Sequence, residues 1–368
     1  GGSVTGRTAT VTSGQFIVIR VPDLTVTNLG TIPDSASSYS AVTSERAGNS
    51  LINFGTISRG VFAGNGIRFD VTNESGGLIT RGSFPAARSS AVELRGGGAL
   101  TNSGTIGNGL TGIDSNGKVL IITTLSSPGV LTNNLGGTIQ GSVSLTGDAA
   151  RVVNRGSMLT PSGDTAGSGG VRLDGANATL TNSGLIVSGF QGIGVTSGDF
   201  GGANYTNESG GRIEGSQVGV RILQGGTLTN SGTIIATGSF GDGLFIHEQA
   251  VTVVNQEGGL IQGVSGSGIH NSTPFTRGNF PNRLVLTNRG TITGALFGLN
   301  LRSGEFPGGA HSITNFGTIS GGVGIRSDMR ADITNSGTIT GTSGSGLLLG
   351  DGGTLSNTGT VTSQAGVG

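Results

Sequence analysis

The chain holds no Cys and no Trp, and only 14 Phe and 2 Tyr among 368 residues. Without Cys, disulfide staples and thiolate metal sites are excluded. The lack also suits a secreted bacterial protein that must stay uncrosslinked during export. So few bulky side chains argue against a layered globular domain of this length. Charge of either sign is scarce and balanced, with 20 basic and 20 acidic residues and a net charge of zero. A nucleic-acid partner, which calls for a basic excess, is therefore not expected. No apolar run approaches the ~18 residues of a membrane span, and the opening "GGSVTGRTAT" carries no charged-then-apolar leader. The expectation is a soluble chain or a mature fragment of a longer one.

Motifs for chemistry are equally sparse. Neither G-x-S-x-G nor "GDSG" occurs, so no serine nucleophile is expected. The Asp residues are scattered and never adjacent, which gives no sign of the carboxylate pair that glycoside cleavage needs. His247, His270 and His311 are the only histidines. His247 and His270 fall near corresponding places of consecutive repeats, but neither has a Cys or carboxylate at ligand-like spacing. All three are expected at exposed loops or strand ends. Gly-rich tracts such as "GSGG" at Gly167–Gly170 lack the Lys of a phosphate loop. The reading is of a protein that is not an enzyme and carries no catalytic residue, no metal and no cofactor.

What the chain has instead is Gly, 75 of them, and repetition. "LTNSGTI" at Leu100–Ile106 returns as "VTNLGTI" from Val26, "LTNSGLI" from Leu180, "ITNFGTI" from Ile313 and "ITNSGTI" from Ile333. Marked by their Asn, the copies fall at Asn28, Asn53, Asn73, Asn102, Asn133, Asn154, Asn182, Asn207, Asn230, Asn255, Asn288, Asn315, Asn335 and Asn357. Their spacing of 20 to 33 residues lies in the range where self-similarity means a solenoid. Variable spacing implies a fixed corner joined to loops of changing length.

Alternation orients the corner. An apolar residue stands two places before each Asn and usually a Thr between them, the mark of a half-buried strand. If the apolar residue points inward, so does the Asn, and the Thr points out. Asn opens a turn in which the next Gly is expected to take a positive φ. Ile then restarts an inward column, as at Ile106, Ile234 and Ile319. Four copies, at Asn73, Asn133, Asn207 and Asn255, lengthen the turn by two residues but keep both Asn and Ile. A third strand is read between copies from "GIRF" at Gly66–Phe69, "AVEL" at Ala91–Leu94, "GVRL" at Gly170–Leu173, "GVRI" at Gly219–Ile222, "GLFI" at Gly243–Ile246, "GLNL" at Gly298–Leu301 and "GLLL" at Gly346–Leu349.

The fold class that follows is all-β: a right-handed parallel β-helix with three strands per rung and about fourteen rungs, residues 1–368 forming one solenoid. At ~4.8 Å per rung it would be on the order of 65 Å long. Inward Asn would cost about 1–3 kcal/mol each if unpaired. A ladder through Asn102, Asn182, Asn230, Asn288, Asn315 and Asn335 and their counterparts is therefore expected.

"LTNSGTI" with an intervening G-x-G-I-x-L strand resembles the passenger domains of bacterial autotransporters, over nearly the whole chain. The resemblance implies a passenger, here a fragment, at the surface of a Gram-negative bacterium or secreted from it, tied to the outer membrane only through a C-terminal barrel absent from this sequence. It further implies an adhesin that binds itself on neighbouring cells, or a host glycan or protein receptor. A structural filament or matrix subunit is the alternative, and a polysaccharide-acting β-helix enzyme the third. Thr101, Thr181, Thr229 and Thr334 mark the candidate self-association face. Arg68, Arg172, Arg221 and Arg326, read as the outward residues of the third strand, are candidate ligand contacts. So are Phe84, Phe275, Phe280 and Phe306, each beside a Pro in a long loop. Neither end shows an evident polar cap.

Overall fold

The computed structural model describes residues 2–5, 7–14, 16–33, 40–81, 90–107, 121–125, 129–160, 170–189, 192–197, 202–247, 249–272, 283–302 and 310–365. Every element among them is a strand or a turn, and the long-range pairing is parallel throughout except for one hairpin. The architecture is a parallel β-helix. The chain divides into two compact units, Gly1–Leu180 and Thr181–Gly368.

In the first unit the Asn strands include Asn49–Asn53, Phe69–Asn73, Gly98–Asn102 and Gly129–Asn133. They pair in strict register, Asn on Asn and Leu on Leu or Val. Short Ile strands such as Thr56–Ile57, Leu78–Ile79 and Thr105–Ile106 follow and stack likewise. Seven third strands complete the rungs: Ile17–Ile19, Val42–Ser44, Val61–Ala63, Val92–Leu94, Ile121–Leu125, Ser142–Leu145 and Val171–Leu173. The second unit repeats the scheme, again with seven third strands, among them Asp242–His247, Ser267–Ser272, Phe297–Leu301 and Val323–Ser327.

Burial follows the period-two rule. Leu51, Ile57, Leu100, Ile106, Leu228, Ile234 and Ile319 have no exposed surface, and each such aliphatic side chain contributes about 1.5–3 kcal/mol relative to exposure. No rung can hide these faces without its neighbour. Tyr205, in the column of Leu228, and Phe69, at the head of its Asn strand in register with Asn49, are the largest fully buried side chains.

Three features differ from expectation. "GIRF" is not a third strand. That rung's third strand is Val61–Ala63, and Phe69 is instead the inward first residue of the next Asn strand, in register with Asn49. The tetrapeptide shares its alternation with "GVRL", and alternation alone cannot tell which side of a corner a strand lies on.

The corner glycines also serve a different purpose. In short corners they do not adopt positive φ. A Cβ on Gly104 would collide with the Gly77 carbonyl, and one on Gly317 with that of Gly290. Gly is required there because consecutive backbones approach too closely for a side chain. Positive φ belongs to the four lengthened corners, at Gly76, Gly136, Gly210 and Gly258 (φ 83°, 83°, 82° and 77°), where each Cβ position faces open space.

Finally, Gly2–Thr5 pairs antiparallel with Thr8–Ser13, which itself pairs parallel with Thr25–Ile32. The first rung thus meets a reversed strand where a bare parallel edge was expected.

Candidate functional site

Inside the corner runs a column of amides. In the first unit Asn28 Nδ2 donates to Asn53 Oδ1 at 2.7 Å, and the pattern continues to Asn73, Asn102, Asn133 and Asn154 at 2.8 Å per step. In the second, Asn182 donates to Asn207, and bonds of 2.7–2.8 Å lead through Asn230, Asn255, Asn288, Asn315 and Asn335 to Asn357. From Asn28 to Asn133 and from Asn182 to Asn357, each Nδ2 also donates to a Gly carbonyl of its own corner, as Asn230 does to Gly232 at 3.1 Å. The ladder satisfies groups that burial would otherwise penalise. It leaves no donor or acceptor over for a ligand, so function must lie outside it.

The outward side of the same strands carries hydroxyls. In the first unit Thr72, Thr101 and Thr132 stand in register. In the second, Thr206 and Thr229 are neighbours, and Thr287, Thr314, Thr334 and Ser356 form a column of four. Thr181 directly precedes the ladder's Asn182. The candidate Thr101, Thr181 and Thr229 are half-buried and Thr334 is exposed. Two further columns flank the last: Thr291, Thr318, Thr338 and Thr360, then Thr293, Ser320, Thr340 and Thr362. Ser320 Oγ donates to Thr293 Oγ1 at 3.1 Å, and Thr340 lies 3.3 Å from Thr362 between hydroxyls. The third column escaped sequence reading, although "TIT", "TIS", "TIT" and "TVT" spell it out.

Third-strand outward positions are chemically mixed. In the second unit one register position reads Thr196, Arg221, Phe245, His270, Asn300, Arg326 and Leu348. In the first it includes Phe62 and Glu93, and Ser144 and Arg172. Arg172, Arg221 and Arg326 are thus outward third-strand residues, each within its own unit, whereas Arg68 is not: it precedes an Asn strand and sits 3.8 Å from Asp70. Arg172 pairs with Asp174 at 2.6 Å, and Arg326 pairs with Asp328 at 3.0 Å while lying 5.8 Å from the Phe297 ring centre. The missed signal is R-x-D: residues two apart in extended chain share a face, so Arg68, Arg172 and Arg326 each meet a carboxylate of their own, whereas Arg221 is followed two places on by Leu223. Phe84, Phe275, Phe280 and Phe306 lie outside the described residues.

The histidines part ways. His247 is in register with Ser272, and His270 with Phe245, so the two are offset by two residues. The Phe245 ring lies between them, stacked on His247 at 5.8 Å and edge-on to His270 at 5.2 Å. His270 Nδ1 is 2.8 Å from Asp242 Oδ2, and Asp242 Oδ1 accepts from the Ser267 amide at 2.8 Å. This Asp–His pair faces no serine or cysteine nucleophile in its register column. His311, expected at an exposed position, has no exposed surface. It occupies an inward place at the start of an Asn strand, and its Nδ1 accepts from the Leu284 amide at 3.1 Å. Burial lowers its pKa to about 4. Among the described residues no group of three or more His, Asp and Glu is placed to hold a metal ion.

A concavity of about 390 Å³ lies on the corner edge of the second unit, lined by Ser209, Gly211, Arg212, Ser231, Thr233 and Glu257 with intervening glycines. Compared with family models, with curated proteins and with solved structures, the chain matches none at a significant level.

Proposed function

We propose that the chain is a non-enzymatic adhesive rod segment that associates side by side with copies of itself on neighbouring cells, in the manner of the autotransporter passengers its repeats resemble. The observation that supports this reading is the hydroxyl face of the last four rungs of the second unit, three columns wide and in register. Thr on a strand needs no function. A periodic array of hydroxyls, however, offers the same donors and acceptors to an identical array at every rung, and weak contacts add when they are made together. Replacing Thr314, Thr318, Thr334 and Thr338 of that face by Lys places like charges along it. Cells displaying the chain are expected to settle in still liquid, and cells displaying the variant to remain suspended. Unchanged settling, with circular dichroism showing the variant folded, would remove this face from consideration.

A further inference from the structure

Lengthened and short corners alternate to make a saddle. In the second unit the corners after Asn207 and Asn255 each carry two extra residues, and the corner after Asn230 between them does not. The tips at Gly210 and Gly258 project into open space. They are two rung spacings apart, about 9–10 Å, and the floor between them is Ser231, Gly232 and Thr233. That floor is bare backbone at its centre, because a Cβ on Gly232 would collide with the Gly211 carbonyl. Each wall is closed by its own turn bond, Gly211 N to Glu208 O and Gly259 N to Gln256 O, both 2.9 Å. The groove is therefore formed before any ligand arrives, which lowers the ordering cost of binding.

The first unit builds the same saddle from the corners after Asn73, Asn102 and Asn133. There Asn134 Nδ2 donates to Ser103 Oγ at 2.9 Å, so a wall residue occupies the floor hydroxyl. In the second unit the residue matching Asn134 is Gln256, and Ser231 has no such bond among the described residues. One saddle is bridged by the protein itself and the other stands open.

The lining selects the ligand. It has no aromatic or aliphatic side chain, which disfavours an apolar guest. Its one cation, Arg212, is held by Glu214 at 2.6 and 3.1 Å, and Glu257 adds a further carboxylate, so an anion finds no net positive field. What remains is a neutral ligand rich in hydroxyls: carboxylate and carbonyl oxygens accept from it, the guanidinium donates to it, and Ser or Thr hydroxyls do both. We infer that this groove is a binding site for a neutral saccharide segment one or two sugar rings long. It is distinct from the Thr columns and stands or falls without them.

The test is ligand-observed NMR on the whole chain with neutral tri- and tetrasaccharides of glucose, galactose, mannose and N-acetylglucosamine, alongside a sialylated trisaccharide. Binding of at least one neutral sugar is expected, with Kd on the order of 1 mM as befits a shallow polar site. Ser231→Arg, which fills the floor with a long side chain, should weaken it at least tenfold, and Glu257→Ala several-fold. Ser336→Arg changes the same corner position on a rung without raised neighbours, and should leave binding as it was. Thermal melts identify variants that fold. Binding by no neutral sugar, stronger binding of the sialylated one, or equal binding by folded Ser231→Arg would each overturn the assignment.

Discussion

Asn230 and Asn271 are both fully buried amides of the second unit, each on an inward strand position. Asn230 accepts from Asn207, donates to Asn255 and donates again to Gly232. Asn271 stands in register with Ile246 and Leu301, and among the described residues neither of its amide atoms finds a hydrogen-bond partner. The corner gives an amide a partner above, a partner below and a carbonyl beside it, whereas Asn271 has only the aliphatic Ile246 and Leu301 on either side of it in its column. The same side chain is thus structural in one column and a burden in the other.

The comparison is broken most forcefully by one substitution in the ladder. Asn230→Leu leaves Asn207 Nδ2 and Asn255 Oδ1 without their bonds, and each buried orphan costs about 1–3 kcal/mol. Bulk added at a tight corner raises the cost further. A loss of about 4 kcal/mol is expected in chemical unfolding, against less than about 0.5 for Ser231→Ala beside it. Equal melting temperatures would mean that the ladder bonds add nothing.

His311 offers the next largest effect, through pH. Its folded pKa of about 4 lies below the ordinary 6.5, so between these values the unfolded chain binds the proton that the folded one refuses. Stability from this group is complete above pH 6.5 and falls as pH drops toward 4, by about 3 kcal/mol in all. His311→Leu should remove that part of the acid sensitivity. The check is the difference between wild-type and variant unfolding free energies at pH 7 and pH 4.5, and a difference independent of pH would contradict the assignment.

Asn271→Leu sharpens the contrast by reversing the sign. Removing an unpartnered amide and inserting an aliphatic chain of similar size between Ile246 and Leu301 is expected to raise stability by about 1–3 kcal/mol. An equal loss in Asn230→Leu and Asn271→Leu would show that burial, not bonding, decides the cost.

How much of this was legible depended on which way a residue faces. The Asn column follows from alternation and a conspicuous repeat, because an inward polar residue at every rung has to be paired with the same residue next door. The Ile and Leu columns are readable for the same reason. Arg68 misled because alternation within "GIRF" matches that of "GVRL", and only pairing reveals that Phe69 aligns with Asn49 in the Asn sheet. The saddle was half visible: the four lengthened corners stand out in the sequence, but nothing in it says that a short corner between two long ones leaves an open floor. His311 was hidden because its place at the head of a strand is filled in most other rungs by Ala, Gly, Val or Leu, as at Ala331, Val251 and Leu284, and in only two by the larger Asn49 and Phe69.

The smallest effect is expected outside, where the columns vary freely. Arg326 pairs with Asp328 at 3.0 Å and lies over Phe297, yet both charged side chains remain about one-third exposed, at 32% and 34%. Water and salt screen such a pair, which contributes about 0.2–1 kcal/mol when measured in isolation. The aromatic contact adds little at an exposed site. Arg326→Ala should therefore cost less than about 1 kcal/mol, and the cost should shrink further when the unfolding experiment is repeated at high ionic strength. A loss matching that of Asn230→Leu, or one insensitive to salt, would show that the outward column carries stability of its own. The present division, with the fold held by an invariant interior and the surface left open to varied chemistry, would then fail at the rung where Arg, Phe and Asp meet.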